Sequence, residues 1–347
     1  MINPKARRLA ASARLAMALT LALLTTTSCH LVHKPVAVEK LLTPLSDADT
    51  AQLVSEVNRL VAARSLHGKV DIQFEDTSFA TSGIAEKYRT AEGSITLQRP
   101  AKIYLVIQAP FIPSDIAQMT SDGEHFRIAI LKGDEKYHRF VRGTNQAIYP
   151  KLQTDGDGNT GKKGKPDKEA QAVSALSNLR PQHLTDALLI RPSDLHAPGL
   201  IYARSEFFQS EKDPAPQSTK RVVRGYYLLD ELQSGDGGSA RLLRRFWFDR
   251  VNGVRLARQQ TFNEKGALIT DVSYGESRKF GDSNALMPVE VGLTRPQDHY
   301  KVTITYQAPE SVNVDHDYPP EVFVLENKWG LREVDLDAEK KPTPAKN

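Results

Sequence analysis

After Gly68 the hydrophobic period of this 347-residue chain changes from about 3.6 residues to 2, and with turns between segments it stays at 2 as far as Tyr306. Val70, Ile72 and Phe74 alternate with Lys69, Asp71 and Gln73. Phe126, Ile128 and Ile130 repeat the pattern, and Val302, Ile304 and Tyr306 alternate with Thr303 and Thr305. An apolar residue at every second position gives a pleated strand one face for a core and one for water. Many such segments at short spacing, with few helices, specify a mainly β fold built on antiparallel pairing and exclude an α/β alternation.

The spacing predicts strands over 70–74, 84–98, 102–108, 116–120, 125–131 and 137–141, then 199–209, 221–229, 241–249, 254–262, 268–274, 287–294 and 302–306. Residues 102–108 are apolar on both faces, as a strand covered on both sides requires. Asp122-Gly123, Asn252-Gly253 and Gly266 mark turns. On 241–249, Phe246 and Phe248 share a face with Leu242 and Arg244, and this face is assigned inward.

Ahead of the strands, Leu53, Val54, Val57, Leu60 and Val61 form one apolar helical face, with Ser46 or Asp47 as cap. The helix is expected to end near Leu66, with Gly68 as its stop. Weaker helical patterns cover 170–179 and 181–189, the second opening on Pro181 with Leu184, Ala187 and Leu188 on one face. Residues 151–170, rich in Gly, Lys and Asp, read as a mobile surface loop.

The first 28 residues have the three parts of an export signal: a basic start (Lys5, Arg7, Arg8, Arg14), an apolar stretch from Leu15 to Leu24, and a small polar end. About ten apolar residues are too few to span a bilayer, which needs about 20. The chain's one cysteine, Cys29, follows at once, where bacterial lipoproteins are acylated and cleaved. The boundary resembles a lipobox, with Thr26, Thr27 and Ser28 before the cysteine and Thr26 where Leu is usual. Several palmitate-class chains on Cys29, each contributing about 0.8 kcal/mol per buried methylene, would make a lasting anchor. His30 stands where an Asp would favour retention in the inner membrane, so the expected location is the outer membrane, facing the periplasm.

Lys and Arg total 46 against 42 Asp and Glu, but the four basic residues of 1–28 are the only charges there, so the remainder carries 42 of each. A chain without net charge lacks the basic field of a nucleic-acid binder. One cysteine excludes an intrachain disulfide and any multi-thiolate metal site. Residues 156–163 have P-loop spacing up to Lys162, but Lys163 replaces the magnesium-binding hydroxyl. Asp155, Asp157 and Asn159 resemble the start of an EF-hand, but Thr160 and Pro166 stand where it needs Gly and Glu. The triplet Asp315-His316-Asp317 alternates in direction and reads as a surface loop. No nucleophile elbow occurs and no carboxylate pair stands out, so the chain is read as non-catalytic, without metal or cofactor.

The order of elements, with "SLHGKVDIQ", "GSITLQRPAKIYLVIQAPF" and "IAQMTSDGEHFRI", resembles the LolA/LolB-like outer-membrane lipoprotein carrier and receptor superfamily. In that family an Arg-Pro opens an apolar strand, as Arg99-Pro100 does before Ile103, Tyr104 and Leu105, and a later strand ends in a turn like Ser121-Asp122-Gly123. "FWFDRVNGVRLARQQTFNEKGALITDVSYGES" and "LMPVEVGL" are similar to the family's later paired strands, so the resemblance runs over most of 53–306.

The resemblance implies a half-open antiparallel β-barrel closed on its concave side by helices, with an apolar cavity for acyl chains. The candidate lining is Val70, Ile72, Phe74, Leu105, Phe126, Ile128, Phe246, Phe248, Ile304 and Tyr306, each of which also reads as plain core. Two features depart from the soluble carriers: Cys29, which points to an anchored branch, and extra length at 145–198 and after Tyr306. Residues 109–113 are either the family's protruding apolar loop or a turn packed on the domain.

The expected organisation is a signal at 1–28, an acylated tether at 29–46, one β-domain at 47–336 and a disordered tail at 337–347. The expected function is non-catalytic binding of a lipid or lipoprotein acyl chain, in lipid or lipoprotein trafficking. The alternative is a structural lipoprotein with a filled barrel that docks an envelope complex.

Overall fold

Thr50–Val61 forms the first helix, α1, of the computed structural model, which describes residues 38–77, 86–87, 90–108, 114–132, 135–145, 147, 179–283 and 285–338. Its cap is Asp49, whose side chain accepts from the Gln52 backbone N–H at 2.8 Å while the Gln52 side chain accepts from the Asp49 N–H at 2.8 Å. This reciprocal pair satisfies two donors that a helix start leaves open. Asp47, one of the two caps expected, instead accepts from Arg250 at 2.6 Å and from the Tyr227 hydroxyl at 3.0 Å. Leu53, Val54, Val57 and Leu60 are buried, as their shared face requires.

The helix stops at Val61, short of the end the periodicity suggested, because Ser65 and Leu66 already belong to strand β1, Ser65–Asp76. Gly68 lies inside that strand opposite Ile95, where a Cβ would come within 2.9 Å of Val312 Cγ2. Its small size serves a close approach and not a helix stop.

The main sheet continues through β2 (Ala91–Gln98), β3 (Lys102–Gln108), β4 (Asp115–Ser121), β5 (His125–Ile130) and β6 (Arg139–Thr144). Helix α2 follows at Pro181–Leu188, then β7 (Leu200–Lys212), β8 (Arg221–Ser234), β9 (Ala240–Asp249), β10 (Arg255–Phe262) and β11 (Leu268–Tyr274). The last are β12 (Glu290–Arg295), β13 (Tyr300–Tyr306) and β14 (Glu333–Asp335). Ser277–Lys279 and Leu286–Pro288 form a separate two-stranded ribbon, which divides the single strand expected over 287–294. The break in alternation at Gly93 also has a cause: a Cβ there would lie 2.1 Å from the Val106 carbonyl oxygen on β3.

In space the order is β7, β8, β9, β10, β11, β12, β13, β1, β2, β3, β4, β5, β6, β14. All neighbours are antiparallel except β6 and β14, which run parallel. The fold is mainly β, as expected, but the sheet is mixed, and it does not close on itself. β14 was not foreseen. Its three residues have no alternation of their own, and their place is set by the edge of β6.

The inward faces meet across the sheet: Val70, Ile72 and Phe74 oppose Tyr306, Ile304 and Val302. On β9 the inward row is Arg244, Phe246 and Phe248, matching the assignment made from the sequence. α1 lies against β7 and β10, and α2 against β3, β4 and β12, so both helices sit over this apolar face. The described residues from Leu41 onward form one compact unit. Among the described residues no helix is long and apolar enough to cross a membrane.

Candidate functional site

Both helices end at one side chain. Arg99, in the turn between β2 and β3, donates from Nε to the Ala63 carbonyl at 2.9 Å, from Nη2 to the Leu60 carbonyl at 3.2 Å and from Nη1 to the Ile190 carbonyl at 2.9 Å. The last carbonyls of a helix have no partner within it, and a cation there also meets the negative end of the helix dipole. One guanidinium therefore latches the C-terminal ends of α1 and α2 over the sheet. Burial lowers the Arg99 pKa, and the fork of donors that it presents to carbonyl oxygens needs the charged form.

Beyond the latch, α2 and the ends of β8 to β12 line an open cavity of about 490 Å³. Its floor is a buried ion pair in which Arg244 donates to Glu231 at 2.8 and 2.5 Å. Arg244 also donates to the carbonyls of Arg191 at 2.9 Å and Pro192 at 3.1 Å, while Tyr202 donates to Glu231 at 2.8 Å. Asn58 of α1 holds Ser193 through two bonds of 2.8 and 3.0 Å. The loop after α2 is thus fixed to both helix and sheet, and the buried charges are fully hydrogen-bonded, as burial demands.

On the opposite wall Arg295 donates to Thr270 at 2.8 Å and pairs with Asp298 at 2.8 Å. The His183 Nδ1 shares a hydrogen bond of 2.6 Å with the Tyr300 hydroxyl. Burial, with Arg295 and Arg180 nearby, lowers the His183 pKa to about 3, so the ring is neutral near pH 7. Burial also raises the Tyr300 pKa, keeping its hydroxyl protonated. Leu243, Phe262 and Ile269 form an apolar part of the rim.

Asp186 and Arg191 also line the cavity and are exposed to it. Protein surrounds Asp186 closely enough that desolvation outweighs the nearby Arg191 and Arg295 and raises its pKa. These groups suit recognition of a polar ligand by charge and hydrogen bonding.

Of the ten candidate lining residues, nine are buried and Phe74 is half-buried, and all ten belong to or pack on one apolar core. Val70, Leu105, Ile128, Phe246 and Phe248 are 0 % exposed. The Tyr306 hydroxyl, buried against the Phe280 ring, has no hydrogen-bond partner among the described residues. None of the ten lines the 490 Å³ cavity, nor two others of about 550 and 720 Å³ beside segments 320–328 and 310–318.

The Asp315-His316-Asp317 triplet does not converge. Asp315 accepts from the Arg64 backbone at 2.7 Å, His316 packs edge-on to Tyr318, and Asp317 pairs with Arg64 at 3.7 Å. Among the described residues no three His, Cys, Asp or Glu gather for a metal ion. Cys29, the signal at 1–28, the apolar loop 109–113 and the loop 151–170 lie outside the described residues.

Arg99 entered the sequence reading only as part of a family motif, and Asp186, Arg191 and Arg295 not at all. One signal was available: Arg244 shares an inward row with Phe246 and Phe248, and a charge on an apolar face asks for a buried partner.

No family model matches the sequence, and no curated protein matches it. Among solved structures the chain is similar to a LolA superfamily protein from Nitrosomonas europaea, at 11% identity and TM-score 0.39 over 80% of this chain and 99% of that one. A DUF1329 family protein from Desulfovibrio piger matches at 9% identity and TM-score 0.35, over 79% of this chain and 95% of that one. An outer membrane lipoprotein-sorting protein domain from Vibrio parahaemolyticus matches at 8% identity and TM-score 0.39, over 78% and 94%.

Proposed function

We propose that this chain is a lipid-anchored envelope protein that binds an acyl chain of a lipid or lipoprotein, without catalysing bond change, in the apolar interior beneath α1 and α2. In this reading the unclosed sheet is a half-open barrel and the two helices are its cover. The observation that carries it is the Arg99 latch: the apolar faces of two short helices are held over the apolar face of the sheet by three bonds from one side chain. Leu53, Val57, Leu60, Leu184 and Leu188 occupy the interior in the closed state. An acyl chain is chemically equivalent to these side chains, so exchanging one for the other loses little apolar burial. The anchor is the acylated Cys29, and the location is the outer membrane, facing the periplasm.

A second reading, a structural lipoprotein that docks an envelope complex, is favoured by one observation. The residues of the apolar interior are buried against one another, while Ile201, Phe207 and Phe208 are exposed on β7. Native mass spectrometry of protein purified from membranes separates the two. Co-purifying lipid, with uptake of a fluorescent fatty acid by the delipidated protein, is expected. Absence of both overturns the binding reading and leaves the docking one. Cys29→Ser should abolish the acylated mass and release the protein from the outer membrane. Unchanged partitioning and processed mass would remove the anchor.

A further inference from the structure

The charges lining the 490 Å³ cavity fall into two groups. Arg244 is paired with Glu231 and Arg295 with Asp298, at 2.5 and 2.8 Å. Asp186 and Arg191 have no hydrogen-bonding or ion-pair partner for their charged groups among the described residues, and they do not pair with each other. Around the same strands Arg245 pairs with Asp230 at 2.6 Å, Arg224 with Asp249 at 2.7 Å and Arg250 with Glu206 at 2.8 Å. Two neutral groups on the same wall, the Gln182 amide and the Thr261 hydroxyl, likewise have no side-chain partner among the described residues.

An open guanidinium presents a planar fork of donors that matches a phosphate or carboxylate. An open carboxylate accepts from an ammonium or a hydroxyl. A ligand that is only an anion would meet Arg191 and be repelled by Asp186, and one that is only a cation would meet the reverse. With one unpaired charge of each sign, the cavity is matched by a headgroup that carries both. The half-buried rim of Leu243, Phe262 and Ile269 gives the first methylenes of such a molecule a surface on which to lie.

We infer that this cavity is a headgroup site for a zwitterionic phosphate-and-amine group, with Arg191 holding the phosphate, Asp186 the ammonium, and Gln182 and Thr261 completing the hydrogen bonds. The inference rests on the acyl-binding reading for the attached chains, but its polar contacts are tested apart from it. Desolvation raises the Asp186 pKa against the pull of Arg191 and Arg295, and a bound ammonium would add to the favour shown to its charged form.

The experiment is calorimetric titration of the full mature chain at pH 7 with short-chain phosphatidylethanolamine below its micelle concentration. Phosphatidylglycerol of the same chain length and soluble phosphoethanolamine are the other two arms. Phosphatidylethanolamine should bind about tenfold more tightly than phosphatidylglycerol. Asp186→Asn should erase that preference, and Arg191→Gln should weaken both lipids about tenfold, with melting temperatures within a degree of wild type. Soluble phosphoethanolamine binding as tightly as the lipid would support the same contacts and make a soluble zwitterion their source. Equal affinity for the two lipids, or variants that bind as wild type, overturns the inference. If fatty-acid uptake persists in that case, the acyl-binding reading stands without it; if uptake is also absent, both fall.

Discussion

Strands β9 to β13 build two different interiors on one face. Along their middle, Phe246, Phe248, Val272, Leu293 and Val302 are at most 2 % exposed and form dense apolar core. Two residues further along the same inward rows stand Arg244, Thr270, Arg295 and Tyr300, which carry charges and hydroxyls. Two residues on a strand span roughly 7 Å. The difference teaches that alternation reports which face is inside, while the chemistry of that inside changes within one strand repeat. The apolar stretch is held by close packing. The polar end is held by hydrogen bonds, foremost those that pair the buried Arg244 with Glu231.

That contrast breaks or sharpens under substitution, and the largest effects come at the centre of each zone. Phe248→Ala should cost about 3–5 kcal/mol, the full price of an aromatic truncation in dense core, read by denaturant unfolding. Arg244→Ala should cost about as much for another reason, because it strands Glu231 in a buried site. The two part company on repair: Arg244→Met combined with Glu231→Leu should recover most of the loss, since apolar replacements remove the charge that needs a partner. If the double variant is no better than the single one, the polar end is held by packing and the contrast fails.

Arg99→Ala comes next. It removes three charge-assisted bonds at the helix ends and should cost about 2–4 kcal/mol. Hydrogen exchange should rise together at Leu53–Leu60 and Leu184–Leu188. A rise in one helix alone would mean that Arg99 does not couple them.

His183 gives a smaller, pH-dependent effect. Its pKa falls from about 6.5 in the unfolded chain to about 3 in the fold, so below pH 6.5 the unfolded state binds the extra proton and stability falls. Its contribution is whole above pH 6.5 and is lost toward pH 3, with a slope of at most about 1.4 kcal/mol per pH unit. His183→Gln should flatten that acid limb, read from midpoints at pH 4 to 7; an unchanged slope would assign acid sensitivity elsewhere. The smallest effect is Asp186→Asn, exposed and unpaired among the described residues, which should shift unfolding stability by no more than about 0.5 kcal/mol.

Much of the sheet was legible because β1, β5, β9 and β13 alternate cleanly, and the inward assignment of Phe246 and Phe248 followed from that alternation together with the lower polarity of their face at the strand's end. The end of α1 was not, because Leu66 fits both an apolar helical face and an inward strand position, and only pairing with Leu97 decides between them. β14 was illegible for the opposite reason: a three-residue strand has no period to read. The site was the least visible part. The value of Arg99 lies in three backbone carbonyls, 36, 39 and 91 positions away, that no side-chain pattern records. Asp186 on α2 and Arg191 just after it carry no signal of their own in the sequence, because an isolated charge usually means solvated surface.

The seam between β1 and β13 bears on how this chain reaches its fold. There the Gln307 amide donates to Asp71, 236 positions earlier, and the two strands join the β7–β12 half of the sheet to the β2–β6 half. Loop closure across such a span comes before any reward from pairing, so contact order is high and folding is slow compared with a local β-meander. A chain emerging from its N-terminus keeps one edge of β1 bare until residues near 300 follow. Unpaired edges are templates for wrong partners, so in that interval the half-made sheet is most exposed to aggregation.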